Sequence, residues 1–260
     1  MNDKQPDPQL LLEFAIDAAW RAGRSTLGHY QRGVPTERKA DNTPVTLADR
    51  QAEQILREMI STTWPDHGII GEEYGHVNSD AEYCWIIDPI DGTKSFVSGV
   101  PLYGTLLALT DGDEALAGVI YFPALDDMIY ALRGGGCYWN GRRVHVSDNK
   151  NLDDAVLLTS ELNYFRLTNR HEAWERLVDR TYVQRTWGDA YGYFLVATGR
   201  ADVMLDPAMH LWDCGPLQVI LEEAGGTFTD WKGKQTIHGH ESVATNGHLF
   251  EQVMDIIGER

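Results

Sequence analysis

The hydrophobic pattern of this 260-residue chain changes kind at one polar, aperiodic stretch, Ser147 to Asp154, and few architectures accommodate both kinds. Upstream, Asp7-Pro8 pairs an N-cap residue with a proline suited to a first helical turn. Leu11, Phe14, Ala15, Ala18 and Ala22 then recur at helical spacing to about Leu27. After a polar loop from Arg38 to Pro44, Thr46 opens a second helix with Ala52, Ile55, Leu56, Met59 and Ile60 on one face, stopped by Pro65-Asp66-His67-Gly68. Ile69-Ile70, Trp85-Ile86-Ile87, Leu102 to Thr110, Ala115 to Phe122 and Met128 to Leu132 read as strands, several with antiparallel alternation. Downstream, short strand candidates at Ala155 to Thr159, Tyr182 to Gln184, Val203 to Leu205, Thr227 to Thr229 and Val243 to Thr245 are separated by helical patterns. Those helices fall at Arg170 to Arg180, Ala190 to Thr198, Cys214 to Glu223 and His248 to Ile257. The expectation is an α+β N-terminal half, residues 1–147, and an α/β C-terminal half, residues 148–260.

Charge narrows the partners. With 22 Lys+Arg against 39 Asp+Glu the formal net charge is −17. Such a surface repels phosphate backbones and anionic lipid, and no basic run offsets it, so neither nucleic acid nor membrane is an expected partner. An acidic protein that handles a phosphorylated small molecule needs cations between the two. No apolar run approaches the roughly 18 residues a membrane span requires. The polar segment Met1 to Pro8 does not read as a secretory signal. Cys84, Cys137 and Cys214 are far apart and lack C-x-x-C spacing, so they are expected to be reduced and buried, and the protein cytoplasmic.

Carboxylates stand at three element boundaries: Gly71-Glu72-Glu73, Asp88-Pro89-Ile90-Asp91-Gly92-Thr93 and Trp212-Asp213. Hard divalent cations want oxygen ligands, and acids at strand ends and helix starts can converge where isolated surface acids cannot. Asp88 ends the apolar run Trp85-Ile86-Ile87, Asp91 follows three residues later, and the Ile90 carbonyl between them offers a neutral oxygen. Gly92-Thr93 opens a short helical segment whose free N–H groups suit a phosphate. Each segment also has a plainer role. A D-P-x-D-G segment forms turns, Glu72-Glu73 is a solvated loop, and Asp213 is an N-cap for a helix carrying Leu217, Ile220, Leu221 and Ala224. It is the combination of three acids, each at an element boundary after an apolar run, that favours a shared cation.

These three segments, with Glu223-Ala224-Gly225-Gly226, resemble the metal-binding motifs of the lithium-sensitive, magnesium-dependent phosphatases of the inositol monophosphatase and fructose-1,6-bisphosphatase superfamily. The order along the chain is the same. Pro44-Val45-Thr46-Leu47-Ala48-Asp49, Gly134 to Gly141 and Val196 to Asp202 also look like family segments, so the resemblance spans nearly the whole chain. Asp91-Gly92-Thr93-Lys94-Ser95-Phe96 and Arg185 to Tyr193 are most similar to the histidinol-phosphatase branch.

The resemblance implies a layered αβαβα sandwich, a homodimer, and Mg2+-dependent hydrolysis of a small phosphate monoester, histidinol phosphate in histidine biosynthesis, by metal-activated water. An inositol, sugar or nucleotide phosphatase is the alternative, and a non-catalytic metal- or metabolite-binding protein on the same fold is a third reading. It further implies two to three Mg2+ ions, with Mn2+ as a possible substitute. Glu72, Asp88 and the Ile90 carbonyl would hold the ion that activates water, and Asp88, Asp91 and Asp213 the ion facing the leaving oxygen. A third ion would sit near Glu72. Four carboxylates and a phosphate dianion together balance three such ions. In this reading Residues 1–147 carry the metal and phosphate site and residues 148–260 complete it.

Asp49, Thr93 and Glu72 are the implied catalytic residues, with Asp49 and Thr93 orienting the attacking water and Gly92 and Thr93 binding phosphate. Asp49 has a second reading as the third helical residue of a capping box opened by Thr46. Asp189 and Asp206 resemble residues that contact the alcohol part of the substrate, and two acids suit a cationic alcohol. Equally, Asp189 caps a helix and Asp206-Pro207 ends a strand. Trp187, Tyr191 and Tyr193 are candidates to stack on an imidazole or to fill the core. Lys39 has two readings, a pocket cation or, more plainly, a solvated loop lysine, and Pro216 is tolerable if it falls in a first helical turn.

Overall fold

The computed structural model describes residues 6–39 and 44–258. The Asp7 carboxylate accepts the Gln9 N–H and starts α1 (Pro8–Thr26). A small antiparallel ladder of β1 (Thr36–Arg38) and β2 (Pro44–Thr46) pairs Arg38 with Pro44, so both ends of the expected polar loop are strands. Thr46 then caps α2 (Leu47–Thr63). The chain continues through β3 (Gly68–Gly71), β4 (Gly75–Val77), β5 (Tyr83–Asp91) and the short α3 (Thr93–Val97). It goes on to β6 (Gly104–Asp111), β7 (Glu114–Phe122), β8 (Asp127–Leu132), β9 (Gly136–Trp139) and β10 (Arg142–Arg143). These eight strands form one sheet in the order β10-β9-β8-β7-β6-β5-β3-β4, antiparallel except where β3 lies parallel to β5.

Between Arg143 and Val156 the chain leaves this sheet. It then forms β11 (Val156–Leu158), α4 (Leu162–Leu167), α5 (His171–Val178), β12 (Val183–Arg185), α6 (Ala190–Ala197) and β13 (Val203–Asp206). Last come α7 (Leu211–Glu223), β14 (Thr227–Thr229), β15 (Ser242–Thr245) and α8 (Phe250–Ile257). The second sheet runs β12-β11-β13-β15-β14, with β11 parallel to both its neighbours.

Strand alternation assigns the layers. On β5, Trp85 and Ile87 pack with Leu11, Ala15 and Leu56 of α1 and α2, whereas Ile86 joins Phe194 and Leu217 of α6 and α7. By the same period Asp88 faces α6 and α7. On β13, Val203 and Leu205 pack with Trp174 and Val253 of α5 and α8, Met204 packs with the α6–α7 layer, and Asp206 falls on the Met204 side. The result is an αβαβα sandwich whose middle helical layer is shared by both sheets. Asp88 and Asp206, at strand ends, face that layer beside the buried Ile86, Leu106, Phe194 and Leu217.

Two readings need correction. The helix expected from Cys214 starts at Leu211 with His210 at the N-cap, so Asp213 is the third helical residue and not the cap. Pro216 consequently lies in the second turn, where its ring removes the N–H that would bond the Trp212 carbonyl. All three cysteines are free and buried. No helix among the described residues is long and apolar enough to cross a membrane.

Candidate metal centre and substrate cleft

Three elements deliver the acids. The β5 strand ends in a turn where the Ile90 N–H donates to Asp88 Oδ1 at 3.0 Å, which fixes the Asp88 side chain and starts the bend toward Asp91. The register of β5 on β6 shifts between Asp88 and Asp91, so Asp91, three residues on, departs from simple alternation and reaches the side that Asp88 faces. At α7, Asp213 Oδ2 accepts the His210 N–H at 2.7 Å, which leaves its other oxygen to face the cleft. A carboxylate oxygen from each of Asp88, Asp91 and Asp213 lies within 4.8 Å of the others.

Such a cluster is electrostatically costly without a cation. Burial pushes Asp88 well above the ordinary carboxylate range, and the charges of Glu72, Asp91 and Asp213 add to it. Asp91 is raised likewise by burial and then by Asp189 and Asp213, against the pull of the Ala190 N–H. Asp213 is pushed up to about 7 by burial, opposed by the His210 N–H and reinforced by Glu72. Hard oxygen donors from two halves of the chain, each destabilised by the others' charge, fit Mg2+ or Mn2+.

Asp91 does a second job. Its Oδ2 accepts the Ala190 N–H at 2.7 Å, so a residue of the large sheet caps α6 of the other half. Asp189, expected to cap that helix, sits at the N-cap position but makes no side-chain cap bond. Its backbone is held in a strained left-handed conformation, φ 49° and ψ −152°, by the Ser160 hydroxyl, which accepts the Asp189 N–H at 3.0 Å. No donor among the described residues bonds the Asp189 carboxylate, and Asp189 is pushed up to about 6 by burial and then by Asp206.

Asp206 is engaged on all sides. Its carboxylate accepts from Thr159 Oγ1 (3.2 Å), Ser160 N–H (2.9 Å), Ser160 Oγ (2.7 Å) and Tyr193 OH (2.9 Å). Thus Asp206 orients Ser160, and Ser160 orients Asp189. Sequence reasoning missed Ser160, whose signal is a hydroxyl just past the apolar run Leu157-Leu158. Tyr193 is fully buried with this network and is not free to stack on a ligand, while Trp187 is exposed.

Lys39 is not a solvated lysine. Its ammonium donates to Glu72 Oε1 and Glu73 Oε1, each at 2.6 Å. Loss of water acts to lower its pKa, yet the two carboxylates outweigh it and hold the ammonium charged. Asp49 forms the expected capping box, with Oδ2 accepting from Thr46 N–H (2.8 Å) and Oγ1 (2.6 Å). Its Oδ1 is buried without a partner among the described residues, and Asp49 is pushed up to about 6, chiefly by burial. Thr93 Oγ1 donates to the Ile90 carbonyl at 3.1 Å. Gly92, at the N-cap of α3, has φ +76°, and a Cβ there would lie 2.9 Å from Asp189 Oδ2, so only glycine fits.

The metal-cluster acids, Glu72, Lys39, the Ile90 to Thr93 turn, Ser160, Asp189 and Asp206 line one cleft of about 1140 Å³, with the Lys94–Glu161 ion pair and Tyr164 also in its wall, whereas Asp49 and Trp187 do not line it. The structure therefore brings Glu72, Asp88, Ile90, Asp91, Thr93, Asp189, Asp206 and Asp213 together.

Residues 7–258 match the inositol monophosphatase family. A protein named histidinol-phosphatase from Chlorobaculum parvum is 41% identical over 95% of this chain and 96% of its own. One of the same name from Mycobacterium tuberculosis is 38% identical, over 94% and 96%. The crystal structure of the extragenic suppressor protein suhB from Bartonella henselae superposes with a TM-score of 0.90 at 28% identity, covering 96% of this chain and 99% of that one. The fold, the acid segments and these matches agree over the whole described length, and the chain belongs to the inositol monophosphatase family.

Proposed function

We propose that this phosphatase-family chain hydrolyses histidinol phosphate in a Mg2+-dependent reaction. The observation that carries the reading is the convergence of Asp88, Asp91 and Asp213 in the cleft that Asp189 also lines with an unbonded carboxylate. The family match and the relatives named histidinol-phosphatase support it.

Glu72, Asp88 and the Ile90 carbonyl would hold one ion, and Asp88, Asp91 and Asp213 another, with a third near Glu72. When bound, such ions neutralise phosphoryl oxygens, acidify water and stabilise a leaving alkoxide. The chain's own groups supply position. Thr93 Oγ1 would accept a hydrogen bond from the attacking water once its own O–H, which in the structure bonds the Ile90 carbonyl, turns toward Asp49, whose Oδ1 has no partner among the described residues. The N–H groups of Gly92 and Thr93 begin α3 and bind phosphate oxygens. Asp189 receives the cationic amine of the alcohol. Asp206 acts beside it through Ser160 and through its charge, so its contribution to substrate binding is indirect electrostatic attraction.

The saturation of Asp206 favours a second reading, in which a neutral inositol or sugar phosphate occupies the cleft and one acid suffices. Phosphate release from histidinol phosphate, inositol phosphate, fructose 1,6-bisphosphate and adenosine 3′,5′-bisphosphate separates the two. The expected result is the highest kcat/KM on histidinol phosphate, with inhibition by Li+. A preference for inositol phosphate would install the second reading. Mg2+-dependent release from none of the four would remove both.

A further inference from the structure

The middle of α2 buries an ion pair that the reaction as described does not use. Glu53 is fully buried, and Arg57, one turn later, donates Nε–H to its Oε1 at 2.7 Å. A helix packing on a sheet needs no charge there, because well-packed apolar residues of similar volume are as stable or more so. The remaining partners of the pair show what it holds. Glu53 Oε2 accepts the Glu73 N–H at 2.8 Å and Oε1 accepts the Tyr74 N–H at 3.1 Å, while Arg57 Nη2 donates to the Gly75 carbonyl. The contact is close: a Cβ on Gly71 would lie 2.1 Å from Glu53 Oε1.

These partners form the turn between β3 and β4, the three residues Glu72, Glu73 and Tyr74. The Glu72 N–H itself bonds the Ile87 carbonyl at 3.2 Å, one residue before Asp88. Glu72 is therefore gripped on its own amide by β5 and on the next two amides by Glu53. Asp49, Glu53 and Arg57 follow one another at four-residue spacing, about 6 Å apart along the helix axis, on the face turned to this turn.

We infer that Glu53 is a positioning residue for Glu72, with α2 presenting Asp49 and the Glu72 turn to the cation site from one rigid element. The inference rests on the reading of Glu72 as a metal ligand. The Arg57 partner keeps the Glu53 charge where two backbone amides can use it, so the turn is held by charge-assisted hydrogen bonds.

The test compares Glu53→Gln, Glu72→Gln and the double variant in two Mg2+ titrations: activation of phosphate release, and the rise in thermal midpoint of the substrate-free protein. Glu53→Gln is expected to raise half-saturating Mg2+ about 10- to 100-fold in both titrations, the range typical of lost outer-shell partners. KM for substrate at saturating Mg2+ should change less than about threefold. The double variant should need no more Mg2+ than Glu72→Gln alone, because the clamp acts only through Glu72. A shift with Glu72→Gln but none with Glu53→Gln, which then only lowers the midpoint, overturns the inference and leaves the ligand reading standing. Unchanged Mg2+ demand in Glu72→Gln removes the ligand reading and the inference with it. Should Glu53→Gln fail to fold, Arg57→Lys, which keeps the charge and loses the grip on Gly75, is expected to show a smaller shift of the same kind, and its absence counts against the clamp.

Discussion

At the scale of single residues, Asp88 carries the most demands. It ends β5, accepts the Ile90 N–H, and lies among Glu72, Asp91 and Asp213. Asparagine keeps the oxygen that accepts the Ile90 N–H but removes one of the repelling charges. Asp88→Asn is therefore expected to fold, to melt no lower than the wild type without metal, and to lose about a hundredfold or more in turnover, beyond the loss typical of outer-shell partners. Calorimetric melting and phosphate release on the same preparation check both halves. Asp49 poses a choice between cap and catalysis. If it serves only the capping box, Asp49→Asn costs at most about 0.5–2 kcal/mol and leaves turnover intact. That Oδ1, without a partner among the described residues, leads us to expect turnover to fall far more than stability. Asp88, Asp91 and Asp213 were legible in the sequence because each follows an apolar run at an element boundary. Lys39, Ser160 and Glu53 were not, since their partners come from segments distant in sequence: Lys39 meets Glu72, Ser160 meets Asp206, and Glu53 meets the amide of Glu73.

At the scale of elements, long periodic segments were readable, and so were short apolar strands bounded by turn residues. The α1 and α2 helices, β6 to β8 and the three- and four-residue strands β11 to β15 fall close to their expected bounds, whereas β4, β9, β10 and α4, of two to six residues, carry neither a period nor an aliphatic run bounded by turn residues. The start of α7 was misplaced because Leu211 and Trp212 precede Asp213 and hide the cap at His210. That helix lies hard on β7, where a Cβ on Gly118 would meet the Pro216 carbonyl oxygen at 2.6 Å and its Cα at 2.8 Å. Backbone cannot yield as a side-chain tip can, so Gly118→Ala must lift α7 and with it Asp213. The expected cost is about 1–3 kcal/mol of stability, the range for overpacked cores, with a raised Mg2+ requirement. Denaturant unfolding and a Mg2+ titration read the two effects. A stability loss with unchanged Mg2+ demand would mean that Asp213 is placed independently of the packing of α7.

At the scale of the molecule, the two halves were legible as two patterns, but their shared middle layer was not, because periodicity reports a face and not what covers it. That layer and the N-terminus of α2 concentrate acids whose protons are held more tightly folded than unfolded. Asp49, Asp189 and Asp206 are pushed to about 6 and Asp213 to about 7, from an ordinary 3.8. Raised carboxylates stabilise the fold below their unfolded pKa and lose that contribution as pH rises through the folded values. Metal-free protein is thus expected to melt lower at pH 8 than at pH 5, and Mg2+ to raise the midpoint more at pH 8, where it replaces the departed protons. Equal Mg2+ shifts at both pH values would contradict this. The central claim is that the acids gathered between the halves make a cation site on which phosphate-ester hydrolysis depends. Its most direct test is histidinol phosphate turnover by metal-stripped wild-type protein, before and after Mg2+ is returned. No release before and full recovery after is the expected result. Undiminished release from the stripped protein would contradict it.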